Sequence, residues 1–374
     1  MRLLNLDSDE SFTGDTFSQL SCNSPGGVLC PKLEHLLWDV GEADIPPEIF
    51  RLFLSPNLES VSLYDVSSLV PLDQLEPLAQ MISLLPTSLR NLVLIWGDTG
   101  EFFQDAISSF VHQRGSSLRG LYANISLPET AIHHLMQLPN LRQWTIYQGP
   151  PRVIPTSIFP SLEDLRLREP VALPWLHILA SHGKGTAHAT AASHANIRET
   201  LKSLHCPSGT TIESTLLYSV IKFQNLTKLY MDTYCFNAGS CIFLLTDGDM
   251  ENLAAALPRL ESLRLGRPCR FNSCNTTIAS LLSLSVRCLG LTDLETHFNT
   301  QAIVSDIRHL LDEGVGHDKA KCMVSELSVG KLPPIVCKED VENVAMGLKV
   351  IFPRLRKVWD EDGILSPLTY EIED

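Results

Sequence analysis

The chain has 374 residues, 44% hydrophobic and 19% charged, which is enough apolar material for a continuous core. No segment approaches the roughly 18 uninterrupted apolar residues of a membrane span. With 43 acidic against 29 basic residues and a net charge of -14, a nucleic-acid partner is not expected, because phosphates call for a basic face.

From Met1 onward the pattern Leu-x-x-Leu-x-Leu, or a hydrophobic variant, returns thirteen times. Its first slots fall at Met1, Leu33, Leu58, Leu89, Leu118, Leu141, Leu162, Leu201, Leu226, Leu260, Leu291, Val324 and Leu355, at spacings of 21 to 39 residues. The clearest copies read Leu58, Val61, Leu63; Leu162, Leu165, Leu167; and Leu260, Leu263, Leu265. A period of this length belongs to solenoids, in which one unit cannot bury its apolar face alone and stacks on its neighbours. Alternation in the Leu-x-Leu half puts both leucines on one side of a strand. Prolines stand two residues before the first slot at Pro31, Pro56, Pro139, Pro160, Pro258 and Pro353, and read as helix-stopping punctuation.

Between the strands the spacing turns helical. Ile132, Leu135 and Met136, then Met250, Leu253, Ala254 and Leu257, then Val341, Val344, Ala345 and Leu348 follow i, i+3, i+4, i+7. The expected fold is α/β: one curved solenoid over residues 1–374 with about 13 repeats, a parallel sheet on the concave side and helices on the convex side. Trp38 and Trp144 sit on core slots. The Asn that would stand three residues after a third slot is mostly missing, Asn299 after Thr296 being the good match, so the turns are expected to rely on backbone pairing and helices. The first strand should form an exposed edge.

Residues 181–195, SHGKGTAHATAASHA, lack large apolar side chains and read as a flexible surface insertion. Its histidines, His182, His188 and His194, recur every six residues, which suits no usual metal site. Residues 360–374 read as an acidic, solvated tail. Asp247 and Asp249 are expected to cap the helix from Met250 to Leu257 rather than bind calcium. The ten cysteines show no Cys-x-x-Cys pair and read as small core residues of a reduced cytoplasmic or nuclear protein; Met1 to Leu6 is a strand pattern, not a secretory leader. No G-x-S-x-G, H-E-x-x-H, phosphate-loop or dinucleotide motif appears, so no catalytic residue, metal or cofactor is expected.

The segments CPKLEHLLW (30–38), PNLESVSLY (56–64), FPSLEDLRL (159–167), LPRLESLRL (257–265) and FPRLRKVWDEDG (352–363) resemble the leucine-rich repeats of fungal F-box proteins. The likeness is one of repeat texture over almost the whole chain. It implies substrate recognition: in that family an F-box docks on the adaptor of a cullin-RING ubiquitin ligase and the repeats hold the protein substrate. No F-box is read ahead of the first strand. Residues 45–50, IPPEIF, resemble the opening of one but are wedged between two strands and read as the helix of a repeat. An adaptor is expected as a partner only if an F-box is encoded upstream.

In a solenoid the residues flanking the second slot and following the third line the concave face. These positions hold Tyr122, Tyr147, Arg166, Arg168, Lys228, Tyr230, Asp232, Arg264 and His297, rich in the Tyr and Arg that dominate interfaces. The expected function is a non-catalytic protein-interaction scaffold with a protein substrate on that face. A repeat-only regulator unconnected to a ligase, or an enzyme with an unrecognised site, remain the alternatives.

Overall fold

The computed structural model describes residues 3–6, 19, 28–39, 47–64, 72–96, 103–155, 158–168, 172–181, 197–206, 211–231, 242–266, 274–296, 298–299, 303–312, 322–329 and 338–359. Among the described residues thirteen strands pair in chain order in a parallel sheet and alternate with helices. The chain divides into two compact units, residues 1–166 with 188–200 and residues 167–187 with 201–374. The expected insertion, beyond Ser181, and the expected tail at 360–374 lie outside the described residues, as do the strand pattern's Met1 and Arg2.

Unit 1 carries β1 (Leu3–Leu6), β2 (His35–Asp39), β3 (Ser60–Tyr64), α1 (Leu72–Leu84), β4 (Asn91–Ile95), α2 (Gln104–Arg114), β5 (Gly120–Ala123), α3 (Glu129–Gln137), β6 (Gln143–Ile146) and the start of β7 (Asp164–Leu167). The leucine slots behave as the alternation requires. Leu58, Val61, Leu89, Leu92, Leu94 and Leu118 are all within 1% of full burial, while Ser60, Ser62, Asn91 and Val93 between them keep contact with solvent. Aromatic side chains close the gap between strands and connections: Trp38 stacks on Phe50 at 5.3 Å, Trp96 on Phe103 at 4.2 Å, and Trp144 meets Phe159 at 5.4 Å. Trp38 and Trp144 are core residues, as their slots demand. Phe159 holds φ 51°, a left-handed conformation costly for a bulky residue and maintained here by that buried contact. The segment from Pro47 to Phe53 forms a 3-10 helix whose Phe50 and Phe53 are buried, so the described part of the 45–50 stretch is helical.

Unit 2 carries α4 (Ala172–Ser181), β8 (Ser203–His205), β9 (Thr211–Ile212), α5 (Ser214–Val220), β10 (Lys228–Met231), β11 (Ile242–Thr246), α6 (Asp247–Ala256), β12 (Ser262–Leu265), β13 (Cys274–Asn275), α7 (Ile278–Arg287), β14 (Asp293–Thr296), α8 (Ile303–Asp312), β15 (Glu326–Val329), α9 (Lys338–Ile351) and β16 (Lys357–Trp359). A second parallel sheet, β9, β11 and β13, precedes α5, α6 and α7; periodicity in the first sheet's leucines gives no hint of it. The helical runs fall where the spacing placed them, with Met250, Leu253, Ala254 and Leu257 buried on α6 and at its end.

The prolines have a more specific role than stopping helices. Five of the six slots that follow a proline close an i to i+3 turn by donating the N–H to the carbonyl three residues earlier: Leu33 to Cys30, Leu58 to Ser55, Leu162 to Phe159, Leu260 to Leu257 and Leu355 to Phe352, at 2.9 to 3.4 Å. Proline therefore stands at the second position of a β-turn, where its fixed φ is already correct and no N–H is needed.

Side chains also stitch one repeat to the next, contrary to the expectation that backbone and helices suffice. The residue just before the first slot donates to the carbonyl two before the preceding slot: Asn57 to Pro31 at 3.0 Å, Ser88 to Pro56 at 2.9 Å, Asn140 to Ser116 at 3.0 Å and Ser161 to Pro139 at 2.6 Å, with Ser117 doing the same to Thr87. This Ser/Asn ladder replaces the missing asparagines, because any short donor can satisfy a turn carbonyl. In unit 2 the thiols of Cys288 and Cys322 point at the carbonyls of Leu257 and Leu291, while the Thr227 and Thr292 hydroxyls lie on the carbonyls of Lys202 and Glu261, which backbone N–H groups already pair.

Helix starts are linked across repeats. Thr246 and Asp249 form a reciprocal capping box at α6, and Ser214 adds a third donor to Asp249. Partial burial raises the Asp249 pKa, but the Thr246 N–H and the Thr246 and Ser214 hydroxyls outweigh it and hold the carboxyl below its ordinary value. Asp247 does not cap its own helix. It accepts from the N–H and hydroxyl of Thr277 at 2.7 and 2.8 Å and from the Ser280 hydroxyl, and so braces Thr277, the N-cap of α7.

Two measurements probe this architecture. Ser88→Ala removes a rung of the ladder and is expected to cost about 1 kcal/mol in urea unfolding. At Gly347 on α9 a Cβ would come within 2.2 Å of Ile307 Cγ2 on α8. Gly347→Ala should therefore destabilise by roughly 1–3 kcal/mol despite alanine's better helix propensity, and Ile307→Ala in the same chain should recover part of the loss.

Candidate protein-binding face

The pleat that buries the slots turns two other rows outward. In unit 1 the first row runs His35, Ser60, Asn91, Gly120, Gln143 in strict register across β2 to β6, and the second runs Leu37, Ser62, Val93, Tyr122, Thr145. Tyr122 is half-buried because its hydroxyl meets that of Tyr147 at 2.8 Å and the rings pack edge to face at 6.2 Å. Arg166 is exposed and pairs with Asp164 at 3.3 Å. Thr145, expected outward, is 4% exposed. Asn91, Tyr122, Gln143, Asp164 and Arg166 ring an open cleft of about 180 Å³ with Gly120 in its floor.

In unit 2 the rows run Ser203, Lys228, Ser262, Asp293, Glu326, Lys357 and His205, Tyr230, Arg264, Glu295, Ser328, Trp359. The second row is a connected stack. The His205 and Tyr230 ring centroids lie 4.4 Å apart, and the Arg264 guanidinium lies over the Tyr230 ring, 5.2 Å from its centroid. Arg264 Nη2 and Nε donate to Asp293 Oδ2 at 3.0 and 3.3 Å, and Glu295 stands 3.8 Å away. Burial works against the charge on Arg264, yet Asp293, Glu295 and Tyr230 together raise its pKa above the ordinary value. Further along, Lys357 pairs with Glu326 at 3.2 Å and sits 5.6 Å from the Trp359 ring, whose N–H donates to Glu326. Such neighbours hold aromatic and guanidinium groups in fixed poses without burying them, which lowers the entropy lost on binding.

Of the residues marked by the sequence, Tyr122, Tyr147 and Arg166 gather in unit 1, Tyr230 and Arg264 touch in unit 2, Lys228 is exposed two residues before Tyr230, and Arg168 is half-buried just beyond β7. Asp232 and His297 lie outside the described residues. The residues that orient the set went unmarked: His205, Asp293, Glu295, Glu326, Lys357 and Trp359. They occupy the same two register positions, so the signal was present, but a choice weighted toward Tyr and Arg passed over the carboxylates that hold Arg264 and Lys357.

Elsewhere, a polar cleft of about 730 Å³ lies by Glu59 and Arg90, and an apolar one of about 540 Å³ lies between α7 and α8. Cys206, Cys288 and Cys322 are buried; desolvation raises all three thiols, Cys288 to about 12, which suits packing residues rather than nucleophiles. Among the described residues no group of three or more His, Cys, Asp or Glu is placed to hold a metal, and no helix is long and apolar enough to cross a membrane.

In comparison with known proteins, no family model matches the chain and no curated protein matches it.

The Arg264 cluster is half-exposed, so its ion pairs should add little to folding. Arg264→Ala is expected to shift unfolding stability by less than about 1 kcal/mol, read by urea denaturation; a larger loss would mark the cluster as a structural clamp instead of a presented surface.

Proposed function

We propose that this chain is a non-catalytic binding scaffold whose outward sheet face holds a protein partner, in the manner of the substrate-recognition repeats of F-box ubiquitin-ligase receptors. The observation that carries the reading is the Tyr230–Arg264–Asp293 stack in unit 2. An aromatic ring and a guanidinium stand in register on adjacent strands, braced by carboxylates yet open to solvent. Tyr and Arg in such positions supply most of the energy at protein interfaces, and preorganisation by neighbours keeps that energy from being spent on ordering. The Tyr122–Tyr147 pair offers a second, smaller aromatic surface in unit 1. The resemblance to F-box repeats supports the same role through its texture of strand openings.

The test is affinity capture with the full-length gene product in its native cell. The wild type should retain a specific protein, and Tyr230→Ala and Arg264→Glu should each cut its recovery by roughly tenfold or more, as loss of an interface anchor does. Co-purification of a cullin adaptor would tie the scaffold to a ligase, and a retained partner without adaptor would make it a repeat-only regulator. Full recovery of the partner by both variants would remove this face from consideration.

A further inference from the structure

Resting on the reading of the sheet face as a docking surface, we propose that the notch at Gly120 in unit 1 receives a lysine side chain of the partner protein.

The notch exists because one residue in an outward row has no side chain. A Cβ at position 120 would lie 2.8 Å from Asn91 Oδ1 and 3.6 Å from Gln143 Oε1. Gly120 stands between these two residues in register, Asn91 on β4 and Gln143 on β6, so their side-chain oxygens converge over its backbone from both sides. The next strand adds Asp164, whose side chain is 16% exposed. Its Oδ2 accepts from Arg166, but its Oδ1 is buried and has no donor among the described residues. A carboxylate short of donors at the wall of a polar cleft is an incomplete arrangement.

The donor count selects the guest. Two amide oxygens and a carboxylate are acceptors, and an ammonium group offers three N–H donors from a single compact centre. A cleft of about 180 Å³ takes a group the size of one side chain. The charge of -14 on the whole chain favours a basic partner at longer range. Arg166 is the local competitor, but it is half-exposed and holds Asp164 by one contact of 3.3 Å, which an entering ammonium can displace toward solvent.

The experiment titrates the full chain, labelled with nitrogen-15, with the peptide Ac-Gly-Ser-Lys-Ser-Gly-amide and with versions carrying Nε-acetyl-lysine, arginine or glutamate in place of lysine. The lysine peptide should give saturable shifts at the Gly120 and Gln143 amides, with roughly tenfold weaker binding for acetyl-lysine and for the Asp164→Asn chain, since each deletes a charge-assisted hydrogen bond. Gly120→Val should abolish the shifts; if it fails to fold, Asp164→Asn, which alters no packing volume, decides. Equal binding of lysine and acetyl-lysine, preference for glutamate or arginine, or no shift with any peptide would each overturn the proposal. Loss of the lysine response alongside partner capture that still depends on Tyr230 defeats the notch alone, whereas lysine binding without any captured partner defeats the docking face.

Discussion

In most repeats the carbonyl of the residue after the first slot accepts two N–H groups from the following repeat, and this pair of hydrogen bonds sets the register on which the rest depends. Glu34 receives Glu59 and Ser60, Glu59 receives Arg90 and Asn91, Arg90 receives Arg119 and Gly120, and Arg119 receives Arg142 and Gln143; in unit 2, Lys202, Thr227 and Glu261 repeat the arrangement. Both lone pairs of one oxygen are used, so a strand cannot slide by one residue without orphaning two donors. A slip would also turn every leucine to solvent. Hydrogen bonding and burial thus impose the same register, and each repeat inherits it from the one before.

Fixed register has a direct consequence for the outward rows. Side chains that are 31 or 34 residues apart in sequence, such as Ser262 with Asp293 or Lys228 with Ser262, are brought about 4.8 Å apart on neighbouring strands. The face is therefore a grid in which neighbouring residues polarise and orient one another. Arg264 shows this: Asp293 and Glu295 hold its guanidinium while the Tyr230 ring lies beside it. Gly120 shows the opposite effect, since one absent side chain in the grid leaves a cleft bounded by its neighbours' polar groups. Recognition on such a face is governed by which residues occupy adjacent repeats, not by any contiguous motif.

The connections between strands vary while the strands do not. In unit 1 turn carbonyls accept from Ser and Asn, in unit 2 carbonyls accept from the buried thiols of Cys288 and Cys322, and the helix starts of unit 2 share carboxylates through Asp247 and Asp249. Different short donors meet the same geometric demand, which is why the repeats look irregular in sequence yet stack in one manner. Gly347 marks the opposite limit, where α8 and α9 approach so closely that only hydrogen fits between backbone and Ile307.

The strands, their buried faces and the helices at Glu129–Gln137, Asp247–Ala256 and Lys338–Ile351 were legible in the sequence, because period-2 and period-3.6 patterns are local properties of the chain. So were the outward positions of Tyr122, Arg166, Tyr230 and Arg264, since alternation alone assigns a face. Tertiary structure decided everything that depends on which repeat sits beside which: the bracing of Arg264 by Asp293, the bracing of the α7 N-cap by Asp247, the Ser/Asn ladder, the second small sheet and the notch over Gly120. Each joins residues a full repeat apart, and their distance in space is set by hydrogen-bond register, which no pattern within a single repeat contains.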